Sequence, residues 1–274
     1  MKIKNPTEKS QDEFYFAAYS KLRQRELYEK YFKIIKIVSG TAVLSNNNKQ
    51  VTVRAGEFVF VNRGGFSRIR MYPDKNRPFR MLCLNFTDKF LEKYIQDAIR
   101  PAVSNAKVEA FEFIYSNVMI EALFSSLDLY ARNDAYPDKI LTDLKLQECA
   151  HILSLHDPHL LGEMFRKQSG ERLNLEVFMN TNYMYNAPLE RFAELSGRSL
   201  STFRREFEQT FGTTPSKWLI QKRLEVAYEK ITKQACRPSV IYWELGFETL
   251  SHFSRKFKEQ YNMAPSKLFN LHNR

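Results

Sequence analysis

The stretch Leu200-Ser201-Thr202-Phe203-Arg204-Arg205-Glu206-Phe207-Glu208-Gln209-Thr210-Phe211 returns 50 residues later as Leu250-Ser251-His252-Phe253-Ser254-Arg255-Lys256-Phe257-Lys258-Glu259-Gln260-Tyr261. In each copy the apolar residues step by 3, 4 and 4 positions, which places them in one stripe on an amphipathic helix. Thr214-Pro215 follows the first copy and Ala264-Pro265 follows the second. An internal repeat of this kind indicates that one structural unit occurs twice.

A shorter helix and a glycine turn precede each copy. Pro188 to Leu195 leads into Ser196-Gly197, and Pro238 to Leu245 leads into Gly246. Pro is compatible with a first helical turn, and Gly permits a close turn between helices. The pattern therefore predicts two helix-turn-helix units, over residues 188–211 and 238–261. Their long helices are expected to end at Gly212 and Asn262, two residue types that tolerate a left-handed C-cap.

One more helix is predicted between the two units, starting after Pro215 and running to about Thr232. Roughly 18 residues at a rise of ~1.5 Å each span about 27 Å. That length is comparable with the ~34 Å that separates successive major-groove faces of DNA. The spacing therefore suits a chain that reads two adjacent turns of a duplex.

On these residues the chain resembles the AraC/XylS family of bacterial transcription regulators, over about residues 172–271. The family signature is carried by Gly246-Phe247-Glu248, by Ser251-His252-Phe253-Ser254-Arg255-Lys256-Phe257 and by Ala264-Pro265-Ser266. The resemblance implies a sequence-specific DNA-binding domain over residues 171–274, with the long helix of each unit in the major groove. It implies that the side chains contacting bases are Ser201, Arg204, Arg205, Leu250, Ser251, Ser254 and Arg255.

The residue types fit these roles, because Arg can pair bidentately with guanine and Ser can contact bases or phosphate. A solvated helix face with ordinary charges is the alternative. Candidates for phosphate contacts, which position a protein without reading sequence, are Thr202, Lys217, His252, Lys256, Lys258 and Lys267. The first long helix carries Glu206 and Glu208 where the second carries Lys256 and Lys258. We therefore expect the second unit to depend more on phosphate contacts and the first more on bases.

The preceding part of the chain reads as short strands that suggest a small antiparallel barrel or sandwich. Their residues are 32–38, 41–44, 50–53, 58–61, 69–72 and 80–86, β-branched or aromatic and separated by turn residues. Helical spacing then links Phe111, Ile114, Val118 and Ala122, and again Leu141, Leu144, Ile152 and Leu155. The predicted fold class is α+β. A regulatory and dimerisation domain over 1–165 would contain a barrel at 25–90 and a helical hairpin at 108–156, with a linker between His156 and Gly170.

This half resembles the cupin-like sensory half of the same family. Gly40, Ala55-Gly56-Glu57-Phe58 and Pro78-Phe79-Arg80 are similar to a subgroup whose activity is set by a protein anti-activator. A small ligand, a protein partner and no ligand all remain open. The resemblance also implies a homodimer formed through the hairpin and, for an activator, contact with RNA polymerase at a promoter.

Composition limits the other classes of function. The net charge of +11 and pI near 9.4 suit a polyanionic partner, since clustered cations gain affinity by releasing phosphate counterions. Mean hydropathy is −0.46, no apolar run approaches the ~20 residues of a membrane span, and the N-terminus lacks a secretory signal. We expect a cytoplasmic protein at the nucleoid, with Cys83, Cys149 and Cys236 reduced and structural.

An enzyme is disfavoured by the pattern of histidines and motifs. All five histidines lie beyond residue 150, whereas cupin-type catalysis generally needs a His-rich metal site. Hydrolase, metalloprotease and P-loop motifs are absent, and His156 and His159 are read as a linker turn around Pro158 rather than a metal pair. We predict no catalytic residue, metal or cofactor. A protein-interaction module that binds DNA only weakly is the competing hypothesis.

Overall fold

The computed structural model describes residues 7–10, 13–47, 49–97, 108–135, 137–165 and 173–272. The chain folds as two compact units, Met1–Gln168 and Ser169–Arg274. All of the described strands and four helices lie in the first unit, and the described part of the second unit is helical. The α+β class predicted from the sequence is confirmed. None of the helices among the described residues has the length and apolar content needed to cross a bilayer.

The strands of the first unit form two antiparallel sheets rather than one closed barrel. The strands are β1 (Thr7–Ser10), β2 (Phe14–Tyr19), β3 (Arg23–Tyr28), β4 (Phe32–Ser39), β5 (Thr41–Ser45), β6 (Gln50–Arg54), β7 (Phe58–Val61), β8 (Phe66–Tyr72), β9 (Phe79–Phe86) and β10 (Phe111–Ile114). The larger sheet has the order β1-β2-β9-β4-β7-β10, and the smaller one has the order β3-β8-β5-β6. All six strands predicted from the sequence are present.

The larger sheet is buried on both faces, which explains its nearly continuous apolar strands. In β4, Ile35 and Ile37 pack between the two sheets, whereas Phe32 and Ile34 pack on the opposite face against helices. Side chains alternate between the faces of a strand. The apolar residues of such a strand are therefore covered by one layer or the other, and the first unit consists of a small sheet, a large sheet and a helical layer.

The sequence missed β1, β2, β3 and β10. Their residues include polar and charged runs, such as Thr7–Ser10 and Arg23–Tyr28, that carry little β signal. The most consequential error is at Phe111–Ile114, which was predicted to begin a helix. It is strand β10, which pairs antiparallel with β7. The spacing of Phe111 and Ile114 fits a helix, but both are buried by the sheet, and tertiary pairing decides the outcome.

Four helices cover the larger sheet or its edges. They are α1 (Asp88–Asp97), α2 (Val118–Arg132), α3 (Lys139–His156) and α4 (Pro158–Phe165). The predicted hairpin is α2 and α3, and it packs on the sheet, with Phe124 edge-on to Phe58 at 5.2 Å. Ion pairs of Lys36 with Glu121 and of Arg80 with Asp128 join α2 to the strands.

The hairpin buries only some of the apolar residues that the sequence places at helical spacing, such as Ile152 on α3. Helix α2 buries Ile120, Leu123, Phe124, Leu127 and Ala131, whereas Val118 and Ala122 are exposed. The predicted linker is also displaced, because residues 158–165 form α4, whose Leu160, Leu161 and Met164 join the core. Residues 166–172 lie outside the described part of the chain.

The second unit contains seven helices among residues 173–272. They are α5 (Leu175–Asn182), α6 (Leu189–Leu195), α7 (Leu200–Phe211), α8 (Pro215–Gln234), α9 (Pro238–Glu244), α10 (Leu250–Tyr261) and α11 (Pro265–His272). Helices α6–α7 and α9–α10 are the two predicted helix-turn-helix units. Gly212 and Asn262 cap α7 and α10 with φ of 66° and 52°, as their residue types predict. Helix α8 has 20 residues, about 30 Å by its rise.

Candidate DNA-binding site

The two long helices of the repeat, α7 and α10, are held by equivalent aromatic contacts. Phe203 and Phe207 on α7 are fully buried, as are Phe253 and Phe257 on α10. Phe207 contacts the ring of Trp218 at 5.7 Å, so that α8 supports α7. Tyr228 of α8 stacks on Phe257 at 6.5 Å. Because buried aromatic residues fix one face of each helix, the opposite face of each is fixed towards solvent.

That outward face carries most of the residues predicted to contact bases. The exposed ones are Ser201, Arg204, Arg205, Leu250, Ser251 and Arg255. Ser254 is half-buried, so it is less accessible than its counterpart Arg204. Neither Arg204 nor Arg205 has an ion-pair partner among the described residues, whereas Arg255 lies 4.0 Å from Glu259. Both guanidinium groups on α7 are therefore available to a ligand without breaking an internal salt bridge.

Each long helix begins with a side-chain cap. Ser199 accepts a hydrogen bond from the backbone N–H of Thr202 at 3.3 Å, and Thr249 accepts one from His252 at 3.2 Å. The Ser199 hydroxyl also donates to Thr202 Oγ1 at 2.9 Å. The His252 ring stands edge-on to Phe247 at 5.8 Å. Thr202 and His252 are half-buried, and part of their polar surface is engaged in this local structure.

Two of the four charged residues that distinguish the two long helices are paired internally. Glu206 accepts from Arg198 Nε at 2.7 Å, and Arg198 is nearly buried. Lys256 donates to Glu259 at 2.7 Å, and this bond, with the charge of Arg255 adding to it, lowers the pKa of Glu259. The expected difference between the two units in phosphate binding therefore reduces to Glu208 against Lys258, both exposed.

The remaining lysine candidates lie on neighbouring elements. Lys217 is in the first turn of α8 and Lys267 is in the first turn of α11, and both are exposed. Lys217 and Lys256 line one open cleft of ≈ 510 Å³ between α8 and α10, with Ile220 and Leu224 also lining it. Lys217 and the N-terminus of α8 suit phosphate oxygens at this cleft, whereas Lys256 is paired there with Glu259, which also lines it.

Comparison with known proteins separates the same two parts of the chain. A family described as the helix-turn-helix domain matches residues 192–270, and one described as the ExsA N-terminal regulatory domain matches residues 33–161. The virulence regulon transcriptional activator VirF of Yersinia enterocolitica is 23% identical over 241 residues, covering 84% of this chain and 86% of VirF. The regulator ExsA of Pseudomonas aeruginosa is 21% identical over 237 residues, covering 84% and 83%.

The chain belongs to the AraC/XylS family. It is a DNA-binding transcription regulator, as the sequence predicts. A solved structure of ToxT from Vibrio cholerae resembles this AraC-type chain over 96% of its length and all of the ToxT chain, with 14% identity and a TM-score of 0.42. Among the described residues of this AraC-type regulator, no group of three or more His, Cys, Asp or Glu side chains could hold a metal ion. His156 ends α3, and His159 on α4 contacts Glu112 at 3.2 Å.

The first unit of the regulator contains a cavity of ≈ 200 Å³ between its two sheets. Leu27, Ile35, Ile69, Met71 and Met81 make most of its wall apolar, and Arg25 and Lys33 add positive charge. Arg25 lies on β3, a strand that the sequence analysis did not recognise.

Lys33 at this cavity pairs with the buried carboxylate of Glu29, which Ser67 also hydrogen-bonds. Burial alone would lower the pKa of Lys33, but the ion pair with Glu29 outweighs that effect and raises it. Lys33 therefore stays protonated as one half of an ion pair, and the carboxylate of Glu29 offsets its charge.

Two further functional candidates were missed by the sequence analysis, Arg198 and Arg223. Both are arginines whose side chains turn inward, and nothing in their local spacing separates them from the exposed arginines of the same helices and turns. Arg223 is 7% exposed and is held by backbone carbonyl groups of three residues distant in sequence. Only the packing of α8 against both helix-turn-helix units identifies it.

Proposed function

We propose that this regulator is a transcription activator that binds two successive major-groove segments, with α7 in one and α10 in the other. The observation that carries the proposal is the equivalent presentation of Ser201, Arg205, Ser251 and Arg255 on the outward faces of two helices whose inner faces are packed. Helix α8, at about 30 Å, suits two grooves on one side of a duplex.

In this proposal Arg204, Arg205 and Arg255 read bases, because a guanidinium can pair bidentately with guanine O6 and N7. Lys217, with Lys256, Lys258 and Lys267, contacts phosphates and sets the position of the protein on DNA. Leu250, Ser251 and Ser254 would complete the reading face of α10, and Thr202 and His252 would support the ends of the two helices.

The test measures DNA binding by the full chain, using duplexes selected by the wild-type chain from a random-sequence library. Arg205→Ala and Arg255→Ala should each cost about 1–3 kcal/mol on the selected duplex and little on unselected DNA. Lys233→Ala removes an exposed cation from the far end of α8 and serves as the matched control. Affinity should fall steeply with salt, and Lys258→Ala should reduce the salt slope by about 1 on all sequences.

If the wild-type chain selects no duplex, or if both arginine changes are silent on every DNA, the two-helix reader is wrong. A protein-interaction module would then be the better description. Activation itself is measured by transcription from a promoter carrying the selected duplex, with purified RNA polymerase present. Transcription that stays unchanged or falls when the regulator is added would contradict an activator.

We also propose that the regulator forms a homodimer through α2 and α3. Apolar residues of α3 point away from its buried side, with Ile140, Leu144 and Leu155 exposed by 73%, 54% and 57%. On α2, Val118 and Leu129 are likewise exposed. Residues 140, 144 and 155 recur at helical spacing and form one stripe, and burying each such side chain stabilises an interface by about 1.5–3 kcal/mol.

Sedimentation at micromolar concentration tests the dimer, with and without DNA. The double change Ile140→Glu with Leu144→Glu should give a monomer, while Leu22→Glu, an equally exposed apolar position of the same unit, should leave the dimer intact. A monomeric wild-type chain under both conditions would eliminate the proposal.

The first unit is proposed as the receiver of the controlling signal, either a small molecule in the cavity between the sheets or a protein partner on its surface. Met71→Phe, which narrows the cavity, distinguishes the two. Control by a small molecule would be lost in this variant, as measured by promoter activity in cells. Control by a protein partner would persist, since the outer surface is unchanged.

A further inference from the structure

A buried arginine joins the two helix-turn-helix units. Arg223 is the only Lys or Arg that is buried among the described residues, at 7% exposure. A buried charge requires hydrogen bonds that replace its lost hydration. Arg223 donates from Nε to the carbonyl oxygen of Tyr183 at 2.7 Å, from Nη2 to that of Tyr185 at 2.7 Å, and from Nη1 to that of Gly246 at 2.9 Å.

The three acceptors belong to both sides of the domain. Tyr183 and Tyr185 lie just after α5, in the segment that leads into the first helix-turn-helix unit at α6. Gly246 forms the turn between α9 and α10, within the second helix-turn-helix unit. One guanidinium, whose donors lie in a rigid plane, therefore fixes the segment just before the first helix-turn-helix unit (α6–α7) against the turn that directs α10.

The backbone at this joint leaves no space for a side chain. Gly246 has φ of +77°, and a Cβ placed there would lie 2.5 Å from the carbonyl oxygen of Met184 and 2.9 Å from Cζ of Arg223. The turn between α9 and α10 is thus in direct contact with the segment before α6. Met184 of that segment also packs against the core around α9 and α10.

The apolar packing of α8 contacts the two helix-turn-helix units through different stretches of the helix. Near the start of α8, the ring centroid of Trp218 lies 5.7 and 4.8 Å from those of Phe207 and Phe211 on α7. Further along α8, Leu224 and Ala227 belong to the core that contains Phe253 and Phe257 of α10. Arg223 lies between these two groups along α8.

We infer that Arg223, with Gly246, is a positioning pair that sets the separation and the relative rotation of α7 and α10, and thereby the spacing of DNA half-sites that the regulator accepts. This inference rests on the proposed function. Two readers held rigidly together bind the second half-site at a high effective concentration, whereas two readers that rotate about one helix lose that advantage. The affinity of each unit for its own half-site does not depend on the joint.

The experiment compares the full-length wild type with Arg223→Lys, which keeps the charge but cannot donate three bonds from one plane. Lys222→Arg, at the neighbouring position of α8, is the control for a Lys–Arg exchange outside the joint. The DNA is the duplex selected by the wild type from a random library, two derivatives with one half scrambled, and two with the spacer between halves changed by +1 or −1 base pair. Binding is measured by fluorescence anisotropy. Near-ultraviolet circular dichroism of Trp218 and Trp243 shows whether each variant is folded.

We expect Arg223→Lys to lose about 10-fold or more in affinity on the intact duplex, to stay within about 2-fold of wild type on each scrambled derivative, and to discriminate less against the altered spacers. Gly246→Ala, tested in the same way, should weaken spacer discrimination as well. Equal losses on all duplexes with unchanged spacer preference would show that Arg223 only stabilises the fold, and would overturn the inference. A wild type that binds none of these duplexes would instead overturn the proposed function.

Discussion

Replacing Gly246 by Ala tests the close contact at the centre of the DNA-binding unit, and Gly212→Ala is its matched control. Both glycines adopt a left-handed conformation, with φ of +77° and +66°. A Cβ at Gly212 would meet no atom within 4 Å, whereas at Gly246 it would lie 2.5 Å from a backbone oxygen. The two substitutions therefore share a backbone penalty and differ only in the space available.

The magnitudes follow from these two contributions. An Ala in the left-handed region costs about 1–2 kcal/mol, and the lower entropy of the unfolded chain returns about 0.4–1 kcal/mol. Gly212→Ala should thus destabilise by about 1 kcal/mol. At Gly246 the new methyl group is about 1 Å closer to the oxygen than an ordinary contact, and overpacking of this kind adds about 1–3 kcal/mol. We expect Gly246→Ala to lose about 2–4 kcal/mol.

Urea unfolding of the full chain, followed by tryptophan fluorescence, measures this difference. The sequence has two tryptophans, Trp218 and Trp243. Both lie in the helical part of the chain, Ser169–Arg274, so the fluorescence reports the unfolding of that part alone. The slope of the unfolding free energy against urea should be unchanged in both variants, which shows that the same surface is exposed. Losses that agree within about 0.5 kcal/mol for the two variants would refute the close approach at Gly246.

Three further predictions concern single side chains. At pH 8 iodoacetamide should alkylate Cys236, which is partly exposed, but not Cys83. Burial raises the pKa of the Cys83 thiol to about 12, so that only about one molecule in ten thousand carries the reactive thiolate there. Peptide mass spectrometry that finds Cys83 modified in the folded chain would contradict this. Ser199→Ala and Thr249→Ala each remove a helix cap and should cost about 1 kcal/mol in urea unfolding, and a loss at only one of them would mean that the repeat is not equivalent there. Arg198→Ala should cost about 2 kcal/mol, less than the 3–5 kcal/mol of a fully buried pair, because its carboxylate partner is 25% exposed; a loss below about 0.5 kcal/mol would place the pair among ordinary surface salt bridges.

The helical half of the protein was predictable because its signals are local. In α7 and α10, Phe residues four positions apart identify the buried face. The two helices end at Gly212 and Asn262, and the internal repeat supports both predictions. The six strands between Phe32 and Phe86 were predictable for the same reason, since β-branched and aromatic runs between turn residues have few other conformations.

The errors all occur where contact with a segment distant in sequence determines the local structure or the buried face. Phe111 and Ile114 have helical spacing, yet they form a strand because β7 offers an open edge to pair with. The stripe of Val118 and Ala122 looks like a core, yet α2 buries its other face against the sheet and leaves this one exposed. Local periodicity states that a helix has an apolar face, but it does not state what covers that face.

By itself, the sequence determined the class of the protein, the two helix-turn-helix units and the outward faces that carry Arg205 and Arg255. Only the tertiary structure decided that the β domain has two sheets with a charged cavity between them, and that Glu206 is paired with Arg198. It also decided that Arg223 turns inward to three backbone oxygens. The physical reason is that helix faces and caps depend on residues within a few positions of one another, whereas ion pairs, cavities and buried charges depend on residues that meet only after folding.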